Sequence, residues 1–330
     1  MHTEYDFLTT TEKSCYQQLL EEIREYKTEF QFGAVTPAQI TKAFRALLHD
    51  HPEIFWLTGG GEFEQTTVGG KLRSVTLFAD LHKGMVMSVV PQMASILDCA
   101  VELVVTKAKF KKNTFDQVLA VHDYIIDTTQ YDLKNSDCYN AFGCLVQNKA
   151  VCAGYTKAFM LVMNRLGYEC GYASGFSKKS GEPHGWNYIL LDGEYYFIDV
   201  TGDDPTSADP KVVSNNKTYD FFCVTTKELE MTHRLSDEFH VPECNGTKYN
   251  YYVYNSLLLK RYSFDDVARI AAPQLRANGK FTVKFESVSE AKRAHADLIE
   301  KHNVYNIPGV NRKILYSTSR NGLILTVTNN

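Results

Sequence analysis

The sequence predicts an α+β protein whose central part packs a helix against an antiparallel sheet. Residues 152–166 have a helical spacing of apolar side chains, and Gly167 follows as a helix end. Three strand-like runs come next, at residues 168–177, 184–191 and 194–201. Between the last two runs, Asp192-Gly193 is a two-residue turn signal, which makes these runs an antiparallel hairpin.

Length and composition limit the classes of protein to consider. The chain has 330 residues, 44% of them hydrophobic, and a formal net charge of −4. It can bury a sizeable core, which excludes a disordered chain. The near balance of charge leaves no basic footprint, so we expect no nucleic-acid partner. Since no run approaches about 20 uninterrupted apolar residues, we expect no transmembrane segment.

We expect three parts in the chain, with boundaries near residues 109 and 235. They are an N-terminal accessory α/β region (1–108), a central core (109–235) and a C-terminal β-α-β-β accessory region (236–330). The elements predicted for the first part are helices at 12–30, 37–51 and 91–107, with short strands and turns at 53–90. Those predicted for the last part are a strand at Tyr249–Tyr254, strands at 281–287, 313–319 and 323–328 and a helix at 289–302, with Asn321-Gly322 as a hairpin turn.

The eight cysteines form neither a zinc pattern nor a disulfide framework. No two of them make a Cys-x-x-Cys pair, and no histidine pair follows at zinc-finger spacing. We therefore expect no metal and no cofactor. The opening residues 1–6 are not a basic and apolar signal sequence. This predicts a cytoplasmic protein if the chain is complete, and an exported or cell-surface protein if a leader has been trimmed.

Cys152 is the candidate nucleophile because it lies at the predicted start of the 152–166 helix. The unpaired amides and the positive end of the helix dipole stabilise a thiolate there. A lone cysteine is more often a buried structural residue, so a catalytic interpretation also requires a base.

The register of the predicted hairpin brings a histidine and an aspartate together. With Asp192-Gly193 as the turn, facing residues have numbers that sum to 385, so Trp186 faces Asp199. His184 is two residues from Trp186 and therefore lies on the same face. His184 and Asp199 become diagonal neighbours, roughly 7–8 Å apart at the backbone, whose side chains can meet. A slip of one residue would separate them.

A cysteine, a histidine and an aspartate together can transfer an acyl group. The thiolate attacks a carbonyl carbon and forms a thioester, the imidazole moves the proton, and the carboxylate orients the ring. Alone, His184 is typical of a surface or packing residue and Asp199 of a turn cap. The three together, in a register that a turn defines, favour catalysis over those ordinary interpretations.

The motifs around these residues resemble the transglutaminase-like core. That family has a Val-Cys-x-Gly-Tyr helix start, a His-x-Trp-Asn strand and an Asp-x-Thr strand end. The matching segments here are Val151-Cys152-Ala153-Gly154-Tyr155, His184-Gly185-Trp186-Asn187 and Asp199-Val200-Thr201. Residues 122–125 and 131–132 also resemble the lead-in of bacterial members. The likeness covers about 115–225 and is specific, because separate motifs occur in the right order.

The resemblance implies that residues 109–235 form a papain-like α+β catalytic core with Cys152, His184 and Asp199 as its triad. One departure is Gly202, where relatives commonly carry tryptophan; we expect it to widen the site or to remove a packing wall. The resemblance further implies a thiol acyltransferase that acts on protein or peptide amides with an amine as acceptor. The alternatives are a cysteine peptidase or amidase that uses water, and a catalytically silent binding or scaffold module.

Neighbouring residues have candidate supporting roles. An oxyanion hole needs two donors. The Cys152 amide is one, and Gln147 and Tyr139 are candidates for the second, although each is more typical of a loop residue. We expect Trp186 to pack beneath His184 rather than to touch substrate.

Several other groups of residues could form a metal site or act as resolving thiols, but a structural interpretation is favoured for each. His49-Asp50-His51 has potential metal ligands, but it lies at a helix end beside a proline. The acidic residues that could attract a cation lack a regular calcium-loop spacing; they are Asp199, Asp203, Asp204 and Asp209. Cys138 and Cys144 could be resolving thiols, but we expect unreactive burial.

Overall fold

The computed structural model describes residues 3–205 and 217–330, so Asp209 lies outside the described residues. The helices are α1 (Thr10–Arg24), α2 (Pro37–Asp50), α3 (Val90–Lys109), α4 (Thr114–Thr128), α5 (Ala141–Leu145), α6 (Cys152–Arg165), α7 (Val200–Asp203), α8 (Thr226–Leu229), α9 (Tyr251–Tyr254), α10 (Phe264–Asn278) and α11 (Val288–His295). The strands are β1 (Glu29–Phe32), β2 (Leu57–Val68), β3 (Lys71–Leu81), β4 (Gln130–Tyr131), β5 (Lys149–Ala150), β6 (Glu169–Ser177), β7 (Pro183–Leu191), β8 (Glu194–Ile198), β9 (His233–Leu235), β10 (Leu258–Leu259), β11 (Lys280–Phe285), β12 (Ile314–Thr318) and β13 (Ile324–Asn329).

The central part is a four-stranded antiparallel sheet with α6 packed against it. The strand order is β8-β7-β6-β9. The inward side chains Tyr155, Phe159 and Val162 of α6 are fully buried. Asn187 of β7 donates hydrogen bonds to the carbonyl oxygens of Thr156 and Gly171, which ties the helix to the sheet. The predicted α+β class is therefore confirmed.

The β7–β8 hairpin has the predicted register. Asn187 faces Ile198 and Leu191 faces Glu194, so both pairs of numbers sum to 385. The turn residues Asp192 and Gly193 have φ of 49° and 86°, as a type I′ turn requires.

The strand predicted at 194–201 is β8, and the prediction was wrong at the C-terminal end of this strand. β8 stops at Ile198, and Val200 begins the short helix α7. The Asp199 carboxylate accepts a hydrogen bond from the Gly202 amide and so caps that helix. Capping pulls the chain out of the sheet just after the strand.

The N-terminal region agrees with the prediction at α2 and at α3, which was predicted at 91–107 and runs from Val90 to Lys109, and it differs in α1 and in the strands. Thr36 and Gln39 form the predicted capping box. The helix predicted at 12–30 ends at Arg24, because Glu29–Phe32 pairs with β3 as β1. Within residues 53–90, Leu57–Val68 and Lys71–Leu81 form one long β2–β3 hairpin instead of several short strands.

Helix α3 is apolar in composition but forms ion pairs with α6. Of the described residues, Met87–Lys109 is the one helical stretch with the length and composition of a membrane span, and 28% of its most apolar 18-residue window is buried. Its Asp98 and Glu102 pair with Arg165 of α6. Length and composition alone do not make it a membrane span, since core helices of other proteins have the same features.

Among the described residues, the two largest hydrophobic clusters lie in different parts of the chain. One runs from Leu8 to Tyr249, so the N-terminal region and the central sheet share it. The other joins residues of the C-terminal region, from Leu259 to Val327. The domain boundaries near 109 and 235 stay predictions.

The C-terminal region is a sheet of order β10-β11-β13-β12 flanked by α10 and α11. Asn321-Gly322 lies at the centre of the β12–β13 hairpin, as predicted. The strand predicted at Tyr249–Tyr254 was wrong, because Tyr251–Tyr254 is the helix α9. The Asn250 side chain accepts the Tyr252 amide and caps that helix.

Candidate active site

Cys152 is the first residue of α6 and borders a cleft. The preceding Val151 provides no side-chain cap, so the first amides of the helix remain available to an anion. Gly154 allows this helix start to press on the Cys138 carbonyl, which a Cβ would meet at 2.5 Å. The Cys-x-Gly spacing is thus needed for the position of the thiol.

His184 on β7 lies between Cys152 and Asp199. Its Nε2 is 2.8 Å from Asp199 Oδ2. A carboxylate only accepts, so Nε2 carries the proton and Nδ1 remains for the hydrogen bond to Cys152. Burial lowers the pKa of His184, but the charge and hydrogen bond of Asp199, together with Cys152, raise it to about 10. The structure therefore brings the three predicted residues together, and the ring favours its charged form.

Asp199 is 1% exposed and accepts three hydrogen bonds. His184 is one of the donors. The second is His233, whose Nε2 lies 3.3 Å from Asp199 Oδ2, and the third is the Gly202 amide, which donates to Asp199 Oδ1 at 2.9 Å. Burial raises its pKa, but the two histidines outweigh burial and hold that pKa well below its usual range. The carboxylate is ionised and fixed in orientation.

Gly202 leaves the room that this carboxylate occupies. A Cβ there would stand 2.5 Å from Asp199 Oδ2 and 2.8 Å from the Phe221 ring. Gly202 also borders the cleft. The residue that departs from the family pattern therefore has a local packing reason in addition to the wider site that the sequence led us to expect.

His233 on β9 is a second histidine of the site, and sequence reasoning missed it. Its ring centroid lies 5.4 Å from that of His184 and 5.0 Å from that of Trp186. With Nε2 donating to Asp199, its Nδ1 accepts the Thr232 hydroxyl at 2.8 Å. β9 pairs with β6 through a connection of more than 50 residues rather than a turn, so no register could be calculated. A histidine in a short strand-like run was the only signal.

The two rings and the carboxylate are also potential metal ligands. Among the described residues, one group of this kind occurs, and its ligand atoms lie within 4.8 Å of one another. Both Nε2 atoms already donate to one oxygen of Asp199. A cation would have to replace both hydrogen bonds, so the polar atoms of this group are satisfied without it.

The other predicted cation candidates have structural partners. Asp50 accepts the amides of Glu4 and Tyr5 and the hydroxyl of Tyr16, which joins the chain start to α2. Asp203 bonds the buried ring of His122. These carboxylates hold elements of the fold together, as the sequence favoured.

A cleft of about 870 Å³ opens beside the thiol. Tyr131 borders it, and burial, followed by the charge of Cys152, raises the pKa of its phenol to about 12. The phenol stays protonated and can donate. Neither of the two predicted oxyanion donors is among the described residues that line the cleft. Gln147 bonds Asn135 and Asp137, and Tyr139 is half exposed.

The remaining cysteines and Trp186 agree with their structural interpretations. Cys138 and Cys144 are fully buried, and burial raises the pKa of both, that of Cys144 to about 12. Trp186 is fully buried with its ring 5.9 Å from that of His184. It packs beneath the histidine, as predicted.

Comparison with known proteins identifies the family of this segment. Residues 102–200 match the family model of the transglutaminase-like superfamily. No curated protein matches the chain.

Solved structures share part of the chain at low identity. A TGase has 18% identity over 43% of this chain and 44% of its own, with a TM-score of 0.31. A candidate cysteine protease from Cytophaga hutchinsonii has 17% identity over 44% of this chain and 63% of its own, with a TM-score of 0.29. The periplasmic domain of TgpA from Pseudomonas aeruginosa, bound to ethylmercury, has 14% identity over 44% of this chain and 59% of its own, with a TM-score of 0.27.

The chain thus spans less than two thirds of each of these proteins. At such identities and TM-scores, the likenesses carry no conclusion about activity. The family match does not depend on these likenesses, and it identifies residues 102–200 as a transglutaminase-like domain.

Proposed function

We propose that this protein is a thiol acyltransferase that acts on protein or peptide amides and passes the acyl group to an amine. The observation that carries the proposal is the unbroken chain of hydrogen bonds from Cys152 through His184 to Asp199, at the edge of an open cleft.

The first step forms an acyl-enzyme. The Cys152 thiolate attacks the amide carbon, the new S–C bond forms, and the C–N bond breaks. The proton on the His184 ring goes to the departing nitrogen. The Cys152 amide at the start of α6 provides one oxyanion donor, and the Tyr131 phenol is a candidate for the second. Asp199 holds the charged ring in place throughout.

The second step releases the acyl group to an acceptor. An incoming amine gives its proton to His184 and forms a new amide, while the S–C bond breaks. Hydrolysis is the second candidate, because the His184 side chain is 17% exposed to a wide cleft through which water also enters. The acceptor that is better held near the thioester decides between the two.

A mass spectrum of products tests the proposal directly. Incubation with a glutamine peptide and a primary amine should release ammonia and produce a new amide bond. Addition of water alone would indicate a hydrolase. Cys152→Ala should abolish every product without unfolding the protein, and products that persist in this variant would rule out the thioester.

Alkylation tests the pairing even without a known substrate. Cys99 is the exposed cysteine among the described residues, so Cys99→Ser serves as the background. Iodoacetamide should label Cys152 rapidly at pH 6, and His184→Ala should slow labelling by at least about tenfold. An unchanged rate would mean that His184 does not act on the thiol.

A further inference from the structure

Three cationic side chains border the cleft beside Cys152. Lys178 and Lys179 belong to the loop between β6 and β7, and Arg320 belongs to the hairpin between β12 and β13. Glu182 is the acidic residue among the described cleft residues. The cations come from two separate parts of the chain, and the C-terminal region contributes one of them directly to the site.

These charges are only partly balanced within the fold, since the charge of Arg320 acts on Asp220, which lines a neighbouring pocket with it. None of the three forms an ion pair with a carboxylate in residues 3–205 or 217–330, and the Lys178 ammonium donates to the backbone carbonyl of Glu230 instead. By contrast, Lys217 pairs with both Asp123 and Asp127. The cations of the cleft therefore remain available to a bound molecule.

A concave site lined by one sign of charge concentrates ligands of the opposite sign. Low-dielectric walls focus the field, and this raises association rates by roughly 10- to 1,000-fold. The effect acts within a Debye length, which is about 8 Å at physiological salt. Carboxylates on residues next to the reacting amide would lie inside that range, whereas a chain rich in lysine would be repelled.

We propose that the cleft selects acyl donors with carboxylates beside the reacting amide, that is, acidic stretches of a protein or peptide. This inference rests on the proposed acyl transfer at Cys152. The β12–β13 hairpin then serves as a specificity element, because Arg320 adds to the charge of the two lysines.

Paired peptides test the selection by turnover. One peptide has its glutamine flanked by glutamates and the other has serines in their place. The wild type should have a kcat/KM about tenfold higher for the acidic peptide. Lys179→Glu combined with Arg320→Glu should remove or reverse this ratio. Both residues are exposed, so this variant should fold normally.

A matched control changes the net charge equally at a distance from the cleft. Lys111 and Lys112 are also exposed and lie in the turn before α4. Lys111→Glu combined with Lys112→Glu should leave the peptide ratio unchanged. A ratio that falls equally in both double variants would overturn the inference, since only net charge would then matter.

A second measurement does not depend on turnover. In the Cys99→Ser background, anionic iodoacetate and neutral iodoacetamide compete for Cys152, and the ratio of their rates is compared with the ratio for glutathione. The cleft should favour iodoacetate several-fold, and Lys179→Glu with Arg320→Glu should abolish that preference.

The two measurements distinguish the two proposals. Turnover at equal kcat/KM for both peptides would overturn the selection and leave acyl transfer intact. A wild type that prefers iodoacetate but processes neither peptide would uphold anion selection at the cleft and count against the proposed function. No iodoacetate preference and no difference between the peptides would overturn the selection in both measurements.

Discussion

Two histidine–carboxylate clusters lie at opposite ends of α7, and they differ in access to the cleft and in contact with a thiol. Asp199 caps the start of α7 and binds His184, while Asp203 ends α7 and binds His122. His122 is fully buried, with Nδ1 3.0 Å from Asp123 and Nε2 3.2 Å from Asp203. Both nitrogens of His122 are occupied, and we call His122, Asp123 and Asp203 the sealed cluster. His184, by contrast, keeps one nitrogen for Cys152.

The charge state of the rings does not distinguish the clusters. Burial lowers the pKa of His122, but hydrogen bonds and charge from Asp123 and Asp203 raise it to about 9. In His184, burial likewise lowers the pKa while Asp199 and Cys152 raise it, and the result is a pKa of about 10. Access to the cleft and a neighbouring thiol make the difference, and a perturbed pKa alone would have pointed to either ring.

The largest expected effect is that of Asp199→Asn on rate. The variant keeps an oxygen for the Gly202 amide but loses the anion that orients His184, so kcat should fall by about 10²- to 10⁴-fold. Steady-state kinetics on the peptide of the turnover assay measures this. The control is Asp203→Asn at the sealed cluster, which should change kcat per folded molecule by less than about threefold. Equal losses in the two variants would erase the distinction between the clusters.

The largest expected effect on stability belongs to the sealed cluster. His122→Ala leaves the buried Asp203 without its cation, whereas Asp123 keeps Lys217, and breaking a buried pair typically costs about 3–5 kcal/mol. Urea unfolding gives the free energy of unfolding. His184→Ala is the matched comparison. It should lower the free energy of unfolding by less, because Asp199 retains His233 and the site borders the cleft. A greater loss for His184→Ala would contradict this ranking.

Stability should also depend on pH through these rings. Both folded-state pKa values lie above the usual value of 6.5. Their stabilisation is therefore complete below about pH 6.5, and it is lost as pH rises through about 9 for His122 and about 10 for His184. The free energy of unfolding should fall between pH 7 and 10. The fall should be smaller in His122→Gln; an identical slope in that variant would mean that the ring is not charged in the folded protein.

The smallest predicted effect concerns the outer hydroxyl of the sealed cluster. Tyr219 donates to Asp123 at 3.2 Å, and its ring stacks on Tyr251 with centroids 3.9 Å apart. Tyr219→Phe keeps the stack and removes the hydrogen bond, so the free energy of unfolding should fall by about 1 kcal/mol. The control is Tyr254→Phe, whose ring is 41% exposed and which should have almost no effect. A loss above about 3 kcal/mol would indicate that the hydroxyl, not the histidine, holds the two carboxylates.

Features that depend on a few neighbouring residues could be predicted. The capping box at Thr36 follows from local hydrogen bonding, and the start of α6 at Cys152 follows from the helical spacing of the apolar side chains after it. The β7–β8 register follows from a two-residue turn, and with it the meeting of His184 and Asp199. In each case the partners are close in sequence, so backbone geometry alone limits the choices.

Contacts between distant segments were decided only by the tertiary structure. His233 joins Asp199 because β9 pairs with β6, and Arg320 joins Lys178 because a C-terminal hairpin borders the cleft. The hydrogen bonds of His122 to Asp203 likewise span 81 residues. No turn or period links such partners, because packing of whole elements brings them together after the local structure has formed. Local chemistry thus specified the thiol and its base, while packing supplied the second histidine and the charge of the cleft.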